Sequence, residues 1–280
     1  METSLQHFRK SFVENFPDAQ EADTFFFMLL EAYAELTKAK FFAEPDRELS
    51  DEIVQRFNAA KVRLVRHEPI QYILGYEWFY GRKFYVNPHV LIPRPETEEL
   101  VDWIVEEYQN RDNLKVIDLC TGSGCIAISL ALSLKGTVSA VDISAEALAV
   151  AEKSAQYLDA ATNFILTDVL GTDLPKDLFD VIVSNPPYVR EAEKDEMQAN
   201  VLDYEPHLAL FVTNDDPLLF YRRILEYAQK SLKPEGSLYF EINQYLEKPM
   251  RELAVQYNFY GLTTRTDFRG NVRMLKLTRT

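Results

Sequence analysis

The sequence predicts an α/β fold: a mostly parallel sheet with helices on both faces, preceded by a small helical domain and a β-hairpin linker. Three observations predict it. Residues 1–75 carry apolar side chains at helical spacing, residues 76–95 are rich in β-formers broken by turn residues, and from residue 115 short apolar runs alternate with amphipathic stretches. Strands that alternate with helices pair in parallel, because each crossover lays a helix on the sheet. The changes in character divide the chain into 1–75, 76–95 and 96–280.

In the first region Phe8, Phe12 and Phe16 recur every fourth position, and the apolar stretch from Phe25 to Leu36 reads as one buried helix. Leu49, Ile53, Phe57 and Ala60 form a third stripe, with Ser50 and Asp51 near its start. Such stripes are the core of a helical bundle, and Gly75 ends the region. Trp78, Phe79, Tyr80, Phe84, Tyr85 and Val86, interrupted by Gly81 and Pro88, then predict a hairpin. Pro93 and Pro95 stop it, and Thr97 is placed to cap a helix running to about Asn110. Beyond residue 115 the apolar runs at 116–119, 138–141, 164–166, 180–184, 237–242 and 272–277 read as strands. Helices are expected at about 125–134, 145–158, 217–231 and 246–257.

Composition narrows the function. The chain has 280 residues and a net charge of −14, so its field repels phosphate backbones and argues against a duplex-DNA partner. Its two cysteines, Cys120 and Cys125, provide neither a disulfide framework nor a four-ligand zinc set. The start Met1-Glu2-Thr3-Ser4 has no basic, apolar leader, and no apolar run is long enough for a membrane span. The expectation is a cytoplasmic monomer without metal.

The chemistry concentrates at strand ends, where open α/β sheets bind ligands. Asp118-Leu119-Cys120-Thr121-Gly122-Ser123-Gly124 leaves the first sheet strand and opens a helix. Gly122 and Gly124 remove side chains that would keep a ligand from the backbone. Asp142 closes the next strand, where a carboxylate can accept both hydroxyls of a ribose. The bare alternative is a tight strand-to-helix turn without a ligand. The spacing lacks the lysine of a phosphate loop, and Ala127 stands where the third glycine of a dinucleotide fingerprint falls, a substitution that some dinucleotide folds accept.

Asn185-Pro186-Pro187-Tyr188 follows the strand 180–184 at once. Asn-Pro alone is only a turn signal; at a strand end beyond a cofactor loop it suggests chemistry. An amide or aromatic amine is a poor nucleophile because its lone pair is delocalised. Two acceptors aimed at its N–H groups, the Asn185 side-chain oxygen and the Pro186 carbonyl, can hold it and favour tetrahedral nitrogen. The two prolines fix the backbone, and Tyr188 offers a flat face to a planar group.

The glycine-rich loop resembles motif I of class I (Rossmann-like) methyltransferases, with Cys120 in place of the motif's first glycine. With Asn185–Tyr188 and the segments 69–75, 79–81, 91–98, Glu205-Pro206 and 268–273, nearly the whole chain resembles the HemK/PrmC-type protein-(glutamine-N5) methyltransferases of peptide chain release factors. The resemblance implies S-adenosyl-L-methionine as methyl donor and S-adenosyl-L-homocysteine as product. It implies cofactor contacts from Cys120, Thr121, Gly122, Ser123, Gly124, Asp142, Ile143, Asp168, Val169 and Asn185. It places Arg94 and Glu96 near the active-site mouth with Asn185, Pro186, Pro187 and Tyr188. Residue by residue, a plainer reading competes: a turn for Asp168, a salt-bridge network between domains for Arg94 and Glu96, and ordinary solvent-facing polar side chains for Glu241 and Gln244. The implied substrate is the glutamine of the release factors' Gly-Gly-Gln loop, gripped in part by the N-terminal helices, with an effect on translation termination. The alternatives are a ribosomal-protein glutamine methyltransferase, an adenine-N6 or guanine-N2 nucleic-acid enzyme, and a nucleotide-binding module without catalysis. The 214–218 loop, Asn214-Asp215-Asp216-Pro217-Leu218, departs from the family's glycine-rich acidic turn.

Overall fold

A computed structural model describes residues 4–279. Met1 to Thr3, part of the stretch expected to carry no leader, lie outside the described residues. The chain forms two compact units, Met1–Gly75 with Ala199–Tyr204, and Tyr76–Gln198 with Glu205–Thr280.

The first unit is helical: α1 (Leu5–Val13), α2 (Ala19–Ala34), α3 (Lys38–Ala43), α4 (Asp51–Leu64) and α5 (Ile70–Leu74). α2 starts well before Phe25, because the Asp18 carboxylate accepts the backbone N–H groups of Gln20 and Glu21 and so caps a polar first turn. Ser50 caps α4 in the same way through Ile53. Phe12, Phe26 and Phe57 meet with ring centroids 5.5–6.0 Å apart. These three rings are buried from water and form the middle of that unit's core. Phe16 lies just past the end of α1 and still packs on Phe12.

The second unit opens with a hairpin, β1 (Tyr76–Phe79) and β2 (Arg82–Tyr85), joined through Tyr80 and Gly81, both at positive φ as a two-residue primed turn requires. Phe79 and Phe84 are buried against each other, and the Tyr85 N–H donates to Ser154 Oγ, so the hairpin is part of this unit's packing. α6 (Pro95–Tyr108) begins one turn ahead of the expected cap. Arg94 takes the N-cap position and Pro95 the first helical position, where its missing N–H has no cost. Thr97 therefore lies inside the first turn, and its side chain is buried rather than capping.

The remaining elements alternate. They are β3 (Leu114–Leu119), α7 (Cys125–Ser133), β4 (Gly136–Asp142), α8 (Ala145–Leu158), β5 (Thr162–Leu166), β6 (Phe179–Ser184) and β7 (Val189–Arg190). After these come α9 (Ala199–Tyr204), which belongs to the first unit, then α10 (His207–Leu210), β8 (Phe211–Val212), α11 (Leu219–Ser231), β9 (Leu232–Glu241), α12 (Glu247–Gln256), β10 (Gly261–Thr266) and β11 (Val272–Thr278). Seven strands form one sheet in the order β10-β11-β9-β6-β3-β4-β5. β5 to β9 run parallel, while β11 and β10 add on antiparallel. Alternate strand residues feed two cores: Val116, Val181, Val183 and Tyr239 on one face, Ile117, Ile182, Leu238 and Phe240 on the other. That is the pattern of a strand covered by helices on both sides. β3 passes to β4 on one side and pairs with β6 on the other, so strand order reverses between β3 and β6. Ligands of open α/β sheets bind at such a reversal.

Candidate active site

Sheet register builds the site before any side chain is considered. Leu119 is paired with Val141 and with Ser184, and Ser184 with Phe240. One residue further on, Asp142, Cys120, Asn185 and Glu241 therefore stand in a row along the carboxyl edge of four adjacent strands. The Ser184 hydroxyl donates to Leu119 O at 2.6 Å and locks the two central strands at that level.

A cavity of about 350 Å³ opens over this edge. Of the residues expected to hold a cofactor, Cys120, Thr121, Gly122, Ser123, Asp142, Ile143, Asp168, Val169 and Asn185 line it. Gly124 does not. It caps α7 at φ 78°, where an added Cβ would lie 2.9 Å from both Ala151 Cβ and Ile128 Cδ1. Its glycine serves close packing of α7, not ligand contact. Gly122 is the opposite case: φ is 54° and nothing lies within 4 Å of the missing Cβ, so its backbone is bare towards the cavity.

The loop has two unusual side chains. Cys120 adopts φ 64°, a left-handed conformation that costs a non-glycine residue on the order of 1 kcal/mol. Burial first, then the carboxylates of Asp142 and Asp118, hold its thiol well above the usual range, so it is a neutral wall. Cys125 is also a free thiol, which burial pushes up to about 12. Asp118 is fully buried, accepts the Thr121 hydroxyl at 2.6 Å, and is raised by burial to about 7.

Asp142 accepts the Gly122 N–H at 2.8 Å and the Ser144 N–H at 3.0 Å, one on each oxygen. Burial raises its carboxyl and those N–H groups oppose the rise. Each oxygen keeps a lone pair for a hydroxyl of a vicinal diol. Asp168 accepts the Leu170 N–H at 2.8 Å, so it is the turn residue of the plainer reading and a cavity residue as well. Buried Val169 and half-exposed Leu170 extend that wall with apolar surface suited to a flat ring. A bare glycine backbone, a diol-accepting carboxylate and an apolar slot fit an adenosine-type cofactor.

The tetrapeptide is divided. Asn185 and Pro187 line the cavity; Pro186 and Tyr188 do not. Tyr188 packs on the core and its hydroxyl donates to Glu241 Oε1 at 3.3 Å; burial, then Glu241, hold the phenol well above its usual range. Glu241 is 2% exposed, so it is no surface residue. Its Oε2 accepts the Thr97 hydroxyl at 2.6 Å, and Asn185 Nδ2 donates to Thr97 Oγ1 at 3.4 Å. Burial raises the Glu241 carboxyl, against the pull of Thr97, Arg273 and Tyr188.

Arg94 lines the cavity and pairs with buried Glu205 at 2.5 Å, while Glu205 also accepts the Ile92 N–H at 3.1 Å. Glu96 is off the cavity wall and pairs with Arg269 at 3.6 Å. Both ion pairs lie within the second unit. In the divergent 214–218 loop, Asp216 makes a two-pronged pair with Arg222, and Asn214 Oδ1 accepts the Ala192 N–H. Pro217 and Leu218 precede α11, which begins at Leu219.

Thr97, Glu205 and Glu241 are the site residues that motif reading undervalued. The first and last had a signal: each is a lone polar residue in an apolar series, Thr97 with Leu100, Val101 and Ile104 at helical spacing, Glu241 between Phe240 and Ile242.

The chain is similar in sequence and in fold to known methyltransferases. Residues 98–204 match the methyltransferase small domain, and residues 5–75 the PrmC N-terminal domain. A release factor glutamine methyltransferase of Flavobacterium psychrophilum is 47% identical over 280 residues, covering 98% of both chains. One of Bacteroides thetaiotaomicron is 52% identical over 219 residues, 78% of each. Among solved structures, the human Mettl16 catalytic domain with an RNA hairpin aligns at TM-score 0.58 and 16% identity, over 82% of this chain and 83% of that one. The Thermus thermophilus 16S rRNA N2 G1207 methyltransferase, with S-adenosylmethionine and guanosine, aligns at 0.53 and 17%, over 73% and 50%. These structural likenesses establish the Rossmann-like methyltransferase fold.

Proposed function

The chain belongs to the release factor glutamine methyltransferase family, and from that premise we propose that it methylates the side-chain N5 of the glutamine in the Gly-Gly-Gln loop of class 1 peptide chain release factors, aiding translation termination. The observation that carries the reading is Asn185 on the cavity wall beside the loop that fits the cofactor. S-Adenosylmethionine supplies a methyl group on a sulfonium, so that as the amide nitrogen forms its bond to carbon the C–S bond breaks and its electron pair stays on sulfur.

The chain's own residues hold the partners. Asp142 receives the ribose hydroxyls, the bare backbone at Gly122 with Thr121 and Ser123 carries the amino-acid end, and Ile143, Asp168 and Val169 flank the adenine. Asn185 Oδ1 and the Pro186 carbonyl accept the target's N–H groups, pulling the nitrogen out of conjugation and stabilising the positive charge it acquires. Tyr188, off the cavity wall and tethered through its hydroxyl to Glu241, backs the tetrapeptide and holds its backbone in place for the planar amide. Arg94 borders the entrance, and Glu96, in the first turn of the helix that follows it, pairs with Arg269.

Positioning supplies much of the acceleration, since the leaving group is already activated. The Cys120 thiol and the Tyr188 phenol, both held above their usual ranges, stay protonated at neutral pH, so neither is a base and the amide proton leaves to water after transfer. The test is transfer of labelled methyl to purified release factor and, side by side, to ribosomal protein, each with its candidate glutamine intact or replaced by alanine. Label confined to the intact release factor is expected. No label there would overturn the reading, and label confined to ribosomal protein would move the substrate.

A further inference from the structure

We propose that Thr97 and Glu241 are positioning residues that decide which end of the Asn185 side-chain amide faces the target. The inference rests on Asn185 Oδ1 being the acceptor for the substrate amide, as proposed above. It goes beyond that reading because neither residue belongs to the tetrapeptide or the cofactor loop.

The number of protons on these side chains fixes the orientation. An asparagine amide has nearly the same shape in its two orientations, so the cavity alone does not choose between them. The Thr97 hydroxyl has one proton, and its oxygen lies 2.6 Å from Glu241 Oε2. Glu241 meets a hydroxyl on each oxygen and has the Arg273 charge as a neighbour that opposes the effect of burial, so it accepts on both sides and the Thr97 proton points to it. The other carboxylate oxygen takes the Tyr188 hydroxyl at 3.3 Å, which leaves Glu241 with a donor on each side.

Thr97 Oγ1 can then only accept from Asn185, across 3.4 Å, and it must find an N–H there. Turned over, the amide would set Oδ1 against Oγ1, two acceptors with no proton between them. Thr97 and Glu241 are each 2% exposed, so no bulk water repairs such a mismatch. The amide is thus pinned by its nitrogen end, and its oxygen is left for the substrate.

Three substitutions test this by single-turnover methyl transfer to release factor and by S-adenosylhomocysteine affinity. Thr97→Val removes the acceptor and should slow transfer roughly 10- to 100-fold, the range for a misplaced reacting group. Thr97→Ser restores the hydroxyl in less volume and should recover most of the rate. Glu241→Met fills the space without an acceptor for the Thr97 proton. That frees the threonine proton towards Asn185 Oδ1, which then turns, so transfer should fall towards the Thr97→Val level with cofactor affinity retained. Transfer at the wild-type rate in Thr97→Val and Glu241→Met overturns the proposal, and so does Thr97→Ser being as slow as Thr97→Val. If Thr97→Val fails to fold, Thr97→Ser and Glu241→Met still decide. Wild-type protein that labels no release factor defeats the functional reading instead, a different result from a labelled wild type with undiminished variants.

Discussion

The loops after β3 and β6 leave the sheet side by side and are built on opposite principles. The first, Cys120 to Gly124, works by subtraction: three residues at positive φ, a missing side chain facing the cavity, and backbone near the ligand space. The second, Asn185 to Tyr188, works by restraint: two prolines remove backbone freedom, and three hydrogen bonds, two of them through Thr97, tie its amide and phenol to a buried carboxylate. The difference teaches that a cofactor of fixed shape can be held by bare backbone, whereas a reacting amide needs an acceptor whose orientation is enforced. Binding therefore belongs to one loop and turnover to the other.

The largest expected effect is on the second loop. Asn185→Ala should reduce methyl transfer by at least about 100-fold, as loss of a positioned transition-state partner does, measured in single turnover. On the first loop, Asp142→Ala should weaken cofactor binding by roughly 10- to 100-fold, the worth of hydrogen bonds to a charged group. Saturating cofactor should return most of its rate, and a rate that stays low would break the division of labour.

Gly124→Ala sharpens the contrast within the first loop. It forces a Cβ into the 2.9 Å contacts with Ala151 and Ile128, and thermal unfolding should show a loss of about 1–3 kcal/mol. Cofactor affinity of the protein that remains folded should hardly change.

Asp118 gives a pH signature. Its carboxyl is at about 7 in the fold against an ordinary 3.8, so the folded state binds the proton more tightly. Its contribution to stability is fully present below 3.8 and is lost as pH rises towards 7. Asp118→Asn removes that loss, so its melting temperature relative to wild type should rise between pH 5 and pH 8. An equal difference at both pH values would contradict the buried, proton-retaining carboxyl.

The smallest effect is at Cys120. Glycine would relieve a left-handed conformation worth on the order of 1 kcal/mol, and the added freedom of the unfolded chain gives back roughly 0.4–1 kcal/mol. Cys120→Gly should therefore be nearly neutral in unfolding experiments, which explains how a cysteine is tolerated at a left-handed position.

The sheet was legible because its strands are apolar runs covered on both faces, and the row of strand-end residues followed from their order. β10 was not legible: Leu262-Thr263-Thr264-Arg265-Thr266 has one large apolar residue and is an edge strand held by pairing with β11. The start of α2 was hidden because its first turn is polar and depends on the Asp18 cap. Thr97 and Glu241 were misjudged because residue type predicts exposure only on average, and their burial is set by partners distant in sequence. Gly124 carried a ligand signal by motif, but its neighbours in space are two helices.

The most direct test of the division is cofactor affinity in Asn185→Ala. Calorimetric titration with S-adenosylhomocysteine, beside Asp142→Ala and wild type, should leave Asn185→Ala within about threefold of wild type, less than the 1.4 kcal/mol of a tenfold change, while its methyl transfer is lost. Affinity weakened as far as in Asp142→Ala would show that the second loop also holds the cofactor, and the assignment of Asn185 to the target amide would be wrong.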